Sequence, residues 1–548
     1  MQAEVNAAME MLKDPEYVPR IQPGKRKSPW TLELSAAYWL LVLLGCRGGR
    51  FGALHPDDSE ALHRLRVEFN GRQDLADLRA VAAGNMTTGE FREAHDMAIF
   101  KDAILPNLMG QIIEIADFLA MTPAQSTKKG YRTWVDRTAQ AVLVDEAANM
   151  HRSDLACIWG NCLMPVFFGG DPRQLPPTVV TGSEEDSEGN LYHRLAEDGA
   201  ISPLVFLLLS GLPVYRLRVQ LRMADGLFDW VAEHLYKEVN FTYASSCSVD
   251  LPEFQAGRIL ERVMQKYPSI RPPPAGKMLP VFVHCEGAVV EIDERTGSKK
   301  CRGQAMIALD IAANLVKEGV SPAKISVLSP YAANGMLFLC IVHFSRCPGL
   351  HRSREYGHGT TSPYNSHTLQ WKKRTNIVAV ELVRQLRKLP QYRALLPMGE
   401  ASTVDSFQGQ ENDIIIVIMG TSFPTPGPGF TTDSHRLNVL LTRQRCGLVV
   451  VGNVDLRGPG SNDGPGAGRG EAKGGWGGKG GKGGKGGGKG GKGGGGGGAG
   501  AGKSTKAPGF LVISPTGEKQ WVGAPMLQHI HSRMLESGRV VRLNAGNR

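Results

Sequence analysis

The run A-V-L-V-D-E-A-A-N at 141 to 149 constrains this chain more than any other stretch. Four consecutive apolar residues without alternation predict a strand buried on both faces, as in a parallel sheet covered by helices. The strand delivers two carboxylates, Asp145 and Glu146, at its C-terminal end. Ligands of α/β folds bind at that end. Asp145 offers the hard oxygen that Mg2+ requires. Glu146 beside it can orient and deprotonate a water attacking a γ-phosphate.

A second string reinforces the first. P-V-F-F-G-G-D-P-R-Q-L-P-P-T at 165 to 178 reads as a strand, a Gly-Gly-Asp turn and an exit stiffened by two prolines. Gln174 both donates and accepts hydrogen bonds, so it is suited to sense a γ-phosphate and its attacking water. Further strand candidates are V-F-L-L-L at 205 to 209, K-I-S-V-L at 324 to 328, I-I-I-V-I at 414 to 418 and G-L-V-V-V-G at 447 to 452. Residues 1–95 read as helical, with no motif of known chemistry. Residues 96–213 and 214–456 read as two α/β regions, the second interrupted by an insertion near 338–374. Residues 457–506 form a Gly/Lys-rich linker expected to be disordered, and 507–548 a short tail with a hairpin and a helix.

The 548 residues allow two to four domains. A formal net charge of +10 favours a polyanionic partner, although the Gly/Lys run carries much of it. Nine cysteines without a C-x-x-C pair fit reduced thiols. The polar N-terminus lacks a signal-peptide pattern, and A-A-Y-W-L-L-V-L-L-G-C, ending at Cys46, is too short to span a bilayer. It predicts a buried helix, and the chain a soluble protein of cytoplasm or nucleus without a membrane partner. G-G-A-G-A-G-K-S at 497 to 504 matches the phosphate-binding P-loop letter for letter. Neither a strand before it nor a helix after it is available, so the match is a product of the repeat.

D-E-A-A followed by G-D-P-R-Q-L-P-P resembles motifs II and III of superfamily 1B nucleic-acid helicases, the nonsense-mediated decay helicase and senataxin-like group. The remaining motifs of that family have counterparts in order: V-Q-L-R-M at 219 to 223, I-S-V-L-S-P-Y at 325 to 331, T-V-D-S-F-Q-G-Q-E-N-D at 403 to 413 and H-R-L-N-V-L-L-T-R-Q-R at 435 to 445. The resemblance covers roughly residues 100 to 456. It implies two RecA-like P-loop NTPase lobes, the first incomplete, with ATP and Mg2+ in the cleft and single-stranded RNA or DNA across their tops. Asp145 would hold the metal, Glu146 would activate water, and Gln174 would couple the γ-phosphate to the other lobe. Arg222 and Arg443 would reach the γ-phosphate from the second lobe, where Gly409 and Glu411 complete the nucleotide site and Glu411 bonds the ribose. Nucleic-acid contacts would fall to Thr122, Ser329, Pro330, Tyr331 and Thr403.

The sequence also departs from that pattern. No G-K-[ST] occurs in residues 1 to 140, where the family places its Walker A motif. Leu221 stands where an aromatic is usual, Ser329 where threonine is usual and Asn334 where glutamine is common. Three readings follow: an ATP-dependent helicase or translocase, a helicase-like nucleic-acid-binding protein with little ATP turnover, or a fragment without activity of its own.

Overall fold

The computed structural model describes residues 2–14, 32–46, 51–159, 163–179, 186, 188–292, 298–330, 379–422, 427–455, 509–513 and 519–545. Tyr331, Asn334, the insertion at 338–374, the Gly/Lys-rich run at 457–506 and the P-loop look-alike at 497–504 lie outside the described residues.

The N-terminal region is helical. Its longest apolar run forms the helix Ala36–Leu44, started by Ser35, whose hydroxyl accepts from the Tyr38 amide at 3.1 Å. Gly45 ends it at φ 87°, the left-handed conformation that suits a helix C-terminus. Leu40, Leu41, Leu43 and Leu44 are all buried, at the centre of a cluster fed by the helices Gln2–Lys13, Glu60–Gly71, Ala76–Ala82 and Leu105–Glu114. This core is separate from the main one. No helix among the described residues is long and apolar enough to cross a membrane.

The first α/β region holds two parallel strands, β1 (Val142–Val144) and β2 (Val166–Phe168), in the register Val142 to Val166. Among the described residues they pair only with each other. Burial on both faces, expected for β1, holds at Val144 but not at Leu143, which is 72% exposed opposite Phe167 at 59%. A two-stranded sheet leaves its outer face uncovered. The strand expected at 205–209 is instead part of the helix Pro203–Leu209. Ser202 caps it by accepting from the Val205 amide, and Pro203 occupies its first turn. A short apolar run does not by itself separate strand from helix; the cap decides.

The second region is a six-stranded, wholly parallel sheet, as in a RecA-like lobe. After two short strands, β3 (Val219–Gln220) and β4 (Thr242–Tyr243), come its members β5 (Val281–Glu286), β6 (Ile325–Ser329), β7 (Ser402–Thr403), β8 (Asn412–Ile418) and β9 (Gln444–Gly452). The hairpin β10–β11 (Gly509–Ile513 and Lys519–Gly523) precedes the last strand, β12 (Val540–Asn544), and the sheet order is β12-β5-β9-β8-β6-β7. Ile414 to Ile418 are all buried, as a central parallel strand requires. The helices Gln255–Met264 and Arg302–Lys317 pack on the sheet. Gly257 permits the first approach: a Cβ there would sit 2.2 Å from the Cys446 carbonyl oxygen.

The segment after 507 contributes more than a hairpin and a helix. The helix Pro525–Glu536 packs against Asp229–Leu235 and Ser434–Leu440, and β12 pairs with β5. Arg539, fully buried, fastens this piece with an ion pair to Glu261 and bonds to the carbonyls of Arg271 (2.7 Å) and Leu279 (3.2 Å).

Candidate functional site

The turns after β1 and β2 lie against each other. Gly169 donates to the Val144 carbonyl at 2.8 Å, and Ala147 donates to the Gly169 carbonyl at 2.9 Å. Gly170 comes so close that a Cβ would stand 2.9 Å from the Ala148 nitrogen. That approach explains the second glycine of the pair before Asp171. Among the described non-glycine residues only Glu146 has positive φ, at 52°. Asp145 is exposed, and its Oδ1 accepts the Glu146 amide at 2.9 Å.

The second lobe faces these turns. Gln408 reaches the turn after β1 at two points: its Nε2 donates to Glu146 Oε2 at 3.3 Å, and its Oε1 accepts from Asn149 Nδ2 at 3.1 Å. Gly409 follows at φ 72°, a conformation that disfavours any side chain; a Cβ there would lie 3.7 Å from Glu146 Oε1. Arg443, 2% exposed at the start of β9's approach, donates from Nη2 to Gln174 Oε1 at 3.1 Å. Arg222 donates to the Thr442 carbonyl at 2.7 Å and lies 3.6 Å from Glu411. Leu175, next to Gln174, belongs to the main core of the second lobe.

Glu146, Gln174, Arg222, Gly409, Glu411 and Arg443 therefore stand near one another where the two regions meet, with Asp145 next to Glu146. Burial lowers the pKa of Arg443 to about 10, helped by the like charge of Arg222 and opposed by Glu146. Burial also lowers Arg222, with Glu411 and then Glu146 pulling the other way. Both guanidiniums remain charged at neutral pH, held in a partly desolvated place where they act strongly on any incoming anion.

The proposed nucleic-acid residues are more scattered. Ser329 and Thr403 are partners in the β6–β7 register, and Pro330 is buried beside them. The Thr403 hydroxyl caps the turn Val404–Phe407, accepting from the Ser406 amide at 3.2 Å. Thr122 is exposed before the short helix Pro123–Ser126 of the first region. Gln408 and Asn149 lie inside motifs whose pattern alone gives them no role. Asp171, which belongs to the Gly-Gly-Asp turn, accepts from the hydroxyl of Tyr236, a residue that carries no sequence signal.

Among the described residues no group of three or more His, Cys, Asp and Glu could cage a metal. An exposed Asp145 beside Glu146 does fit Mg2+, which uses one or two carboxylates and takes its other ligands from phosphates and water.

A family profile described as "AAA domain" matches residues 362–455. Curated relatives include the DNA polymerase alpha-associated DNA helicase A of Saccharomyces cerevisiae, 28% identical over 53% of this chain and 34% of that protein. The ATP-dependent helicase NAM7 of the same organism is 24% identical over 75% of the chain and 35% of that protein. Regulator of nonsense transcripts 1 of Caenorhabditis elegans is 26% identical over 58% of the chain and 23% of that protein. The chain is thus a distant homologue of the superfamily 1B helicases. It spans about a third or less of the length of these relatives.

Proposed function

We propose that the place where these residues meet is a crevice that binds ATP with Mg2+ and hydrolyses it to drive a helicase or translocase acting on single-stranded RNA or DNA. One observation carries the reading: Arg443 of the second region bonds Gln174 of the first, beside Glu146, where acids and guanidiniums from four of the family motifs meet. Asp145 would hold Mg2+, which when bound neutralises phosphate charge. Glu146 takes the proton of the attacking water. Gln174 links the γ-phosphate to the second lobe. Arg222 and Arg443 stabilise the charge that develops on the transferred group. Glu411 bonds the ribose, and Gly409 lets backbone approach the nucleotide. Thr122 and Thr403 contact the nucleic-acid backbone without reading sequence, Tyr331 stacks on a base, and the buried Ser329 and Pro330 hold the strand end that carries it.

A second reading is favoured by the lack of G-K-[ST] ahead of Asp145. It makes the chain a helicase-like nucleic-acid-binding protein, or a piece of one, with little ATP turnover.

Nucleic-acid-stimulated ATP hydrolysis by the purified chain decides between them. The first reading expects turnover that Glu146→Gln abolishes and that Arg443→Ala lowers roughly 10³-fold. No turnover, with single-strand binding that weakens as salt rises, selects the second reading. Loss of both activities leaves an inactive fragment.

A further inference from the structure

A closed circuit of side chains runs behind Gln174. Asn438 Nδ2 donates to the Tyr236 hydroxyl at 2.7 Å, and that hydroxyl donates to Asp171 Oδ2. The same oxygen accepts from Gln174 Nε2 at 3.2 Å, while Gln174 Oε1 accepts from Arg443 Nη2 at 3.1 Å. Arg443 Nη2 also donates to Thr442 Oγ1 at 3.0 Å, and Thr442 Oγ1 returns to the Asn438 carbonyl at 2.7 Å. Asn438, Thr442 and Arg443 are each at most 3% exposed.

The direction of each bond follows from the donors available. An amide nitrogen only donates, so Asn438 takes a lone pair of the Tyr236 oxygen and the phenol proton must point elsewhere. It points at Asp171, a carboxylate, which only accepts. Asp171 therefore draws the NH2 end of Gln174 towards itself and leaves the amide oxygen for the guanidinium. Turned over, Gln174 would set its NH2 against the Arg443 donor and its oxygen against the carboxylate. Burial and the Asp171 charge raise the Tyr236 pKa, so the phenol keeps its proton throughout the neutral range. Arg173, on the same turn as Asp171, lies 4.9 Å from the Tyr236 ring and pairs with Glu238 two residues further on.

We infer that Tyr236 is a positioning residue which, through Asp171 and Asn438, sets the orientation of the Gln174 amide and so the register in which the two lobes present Gln174 and Arg443 to the crevice. The inference rests on the reading of that crevice as an ATP-hydrolysing site. It adds a control point outside the nucleotide contacts: Tyr236 bonds Asp171 and Asn438 rather than Asp145 or Glu146, yet decides which end of Gln174 faces Arg443.

The test uses the full chain, with nucleic-acid-stimulated ATP hydrolysis as one readout and hydrogen–deuterium exchange as another. Tyr236→Phe is expected to lower kcat about tenfold with the KM for ATP unchanged within about twofold. In a Gln174→Ala background the same change is expected to cost nothing further, because the group it orients is gone. Asp171→Asn keeps an acceptor for the phenol and is expected to retain more activity than Asp171→Ala. An equal loss from Tyr236→Phe in both backgrounds, or no loss in either, overturns the inference. A wild-type chain without turnover refutes the hydrolysis reading alone. The circuit is then judged by exchange, which Tyr236→Phe must raise at residues 171–174; unchanged exchange there overturns it independently of activity.

Discussion

Glu146 holds a backbone conformation that an L-residue with a side chain adopts at a cost of about 1–2 kcal/mol. The surrounding turn imposes it: Ala147 is bonded to the Gly169 carbonyl, and the Glu146 carbonyl accepts the Asn149 amide at 2.9 Å. Any residue with a Cβ at 146 inherits the strain, and glycine does not. Glu146→Gly is therefore expected to be more stable than Glu146→Ala by about 1 kcal/mol in denaturant unfolding, while neither variant turns over ATP. Equal stabilities would show that the turn stores no strain. Asp145, Glu146 and Gln174 stand in the turns after two strands readable from their apolar runs, whereas Arg222 and Arg443 are pointed to only by the resemblance of their motifs. Their partners were not legible in the sequence. The bond of Gln408 to Asn149 spans 259 residues and exists only once the two regions meet, and that of Asn438 to Tyr236 spans 202 residues within the second region.

Among the elements, the fully apolar strands were readable because a central parallel strand has no solvent face to encode. β6, β8 and β9 lie where I-S-V-L, I-I-I-V-I and G-L-V-V-V-G predicted them. The run at 205–209 misled because its cap, not its periodicity, fixes its form. The place of β12 was illegible, since nothing local says that V-V-R-L pairs with a strand more than 250 residues earlier. Helix packing on the main sheet depends on Gly257. Gly257→Ala drives a methyl group into the Cys446 carbonyl and is expected to cost about 1–3 kcal/mol, read as a lowered denaturation midpoint with an unchanged m-value.

β5 carries a second sensitivity. His284 is buried, and its Nδ1 accepts the Val454 amide at 3.0 Å, which requires the neutral ring. Burial lowers its pKa, with Asp455 opposing and Arg542 assisting. A depressed folded pKa gives stability that is present above the unfolded value of about 6.5 and lost as pH falls through the folded one. Stability is thus expected to decline as pH drops from 7 towards 5, less steeply in His284→Gln. Parallel declines in thermal melts at several pH values would exclude His284 as the cause.

At the scale of the whole molecule, the main core is closed by a piece that arrives late in the chain. Asp455, at the end of the described part of the second lobe, is gripped by Arg542 of β12 at 3.0 and 3.1 Å. Breaking the buried Arg539–Glu261 pair from one side strands a charge and is expected to cost about 3–5 kcal/mol. A protease site engineered at 457–506 and then cut is expected to leave the 509–545 piece co-eluting with the body on size exclusion, and Arg539→Ala to release it. Separation of the unmutated pieces would show that covalent continuity, not packing, holds β12. Where they stay together, the protein becomes a two-part complementation system: the C-terminal peptide can be made separately, labelled and added back, and its uptake reports in a single step whether the far edge of the lobe has formed.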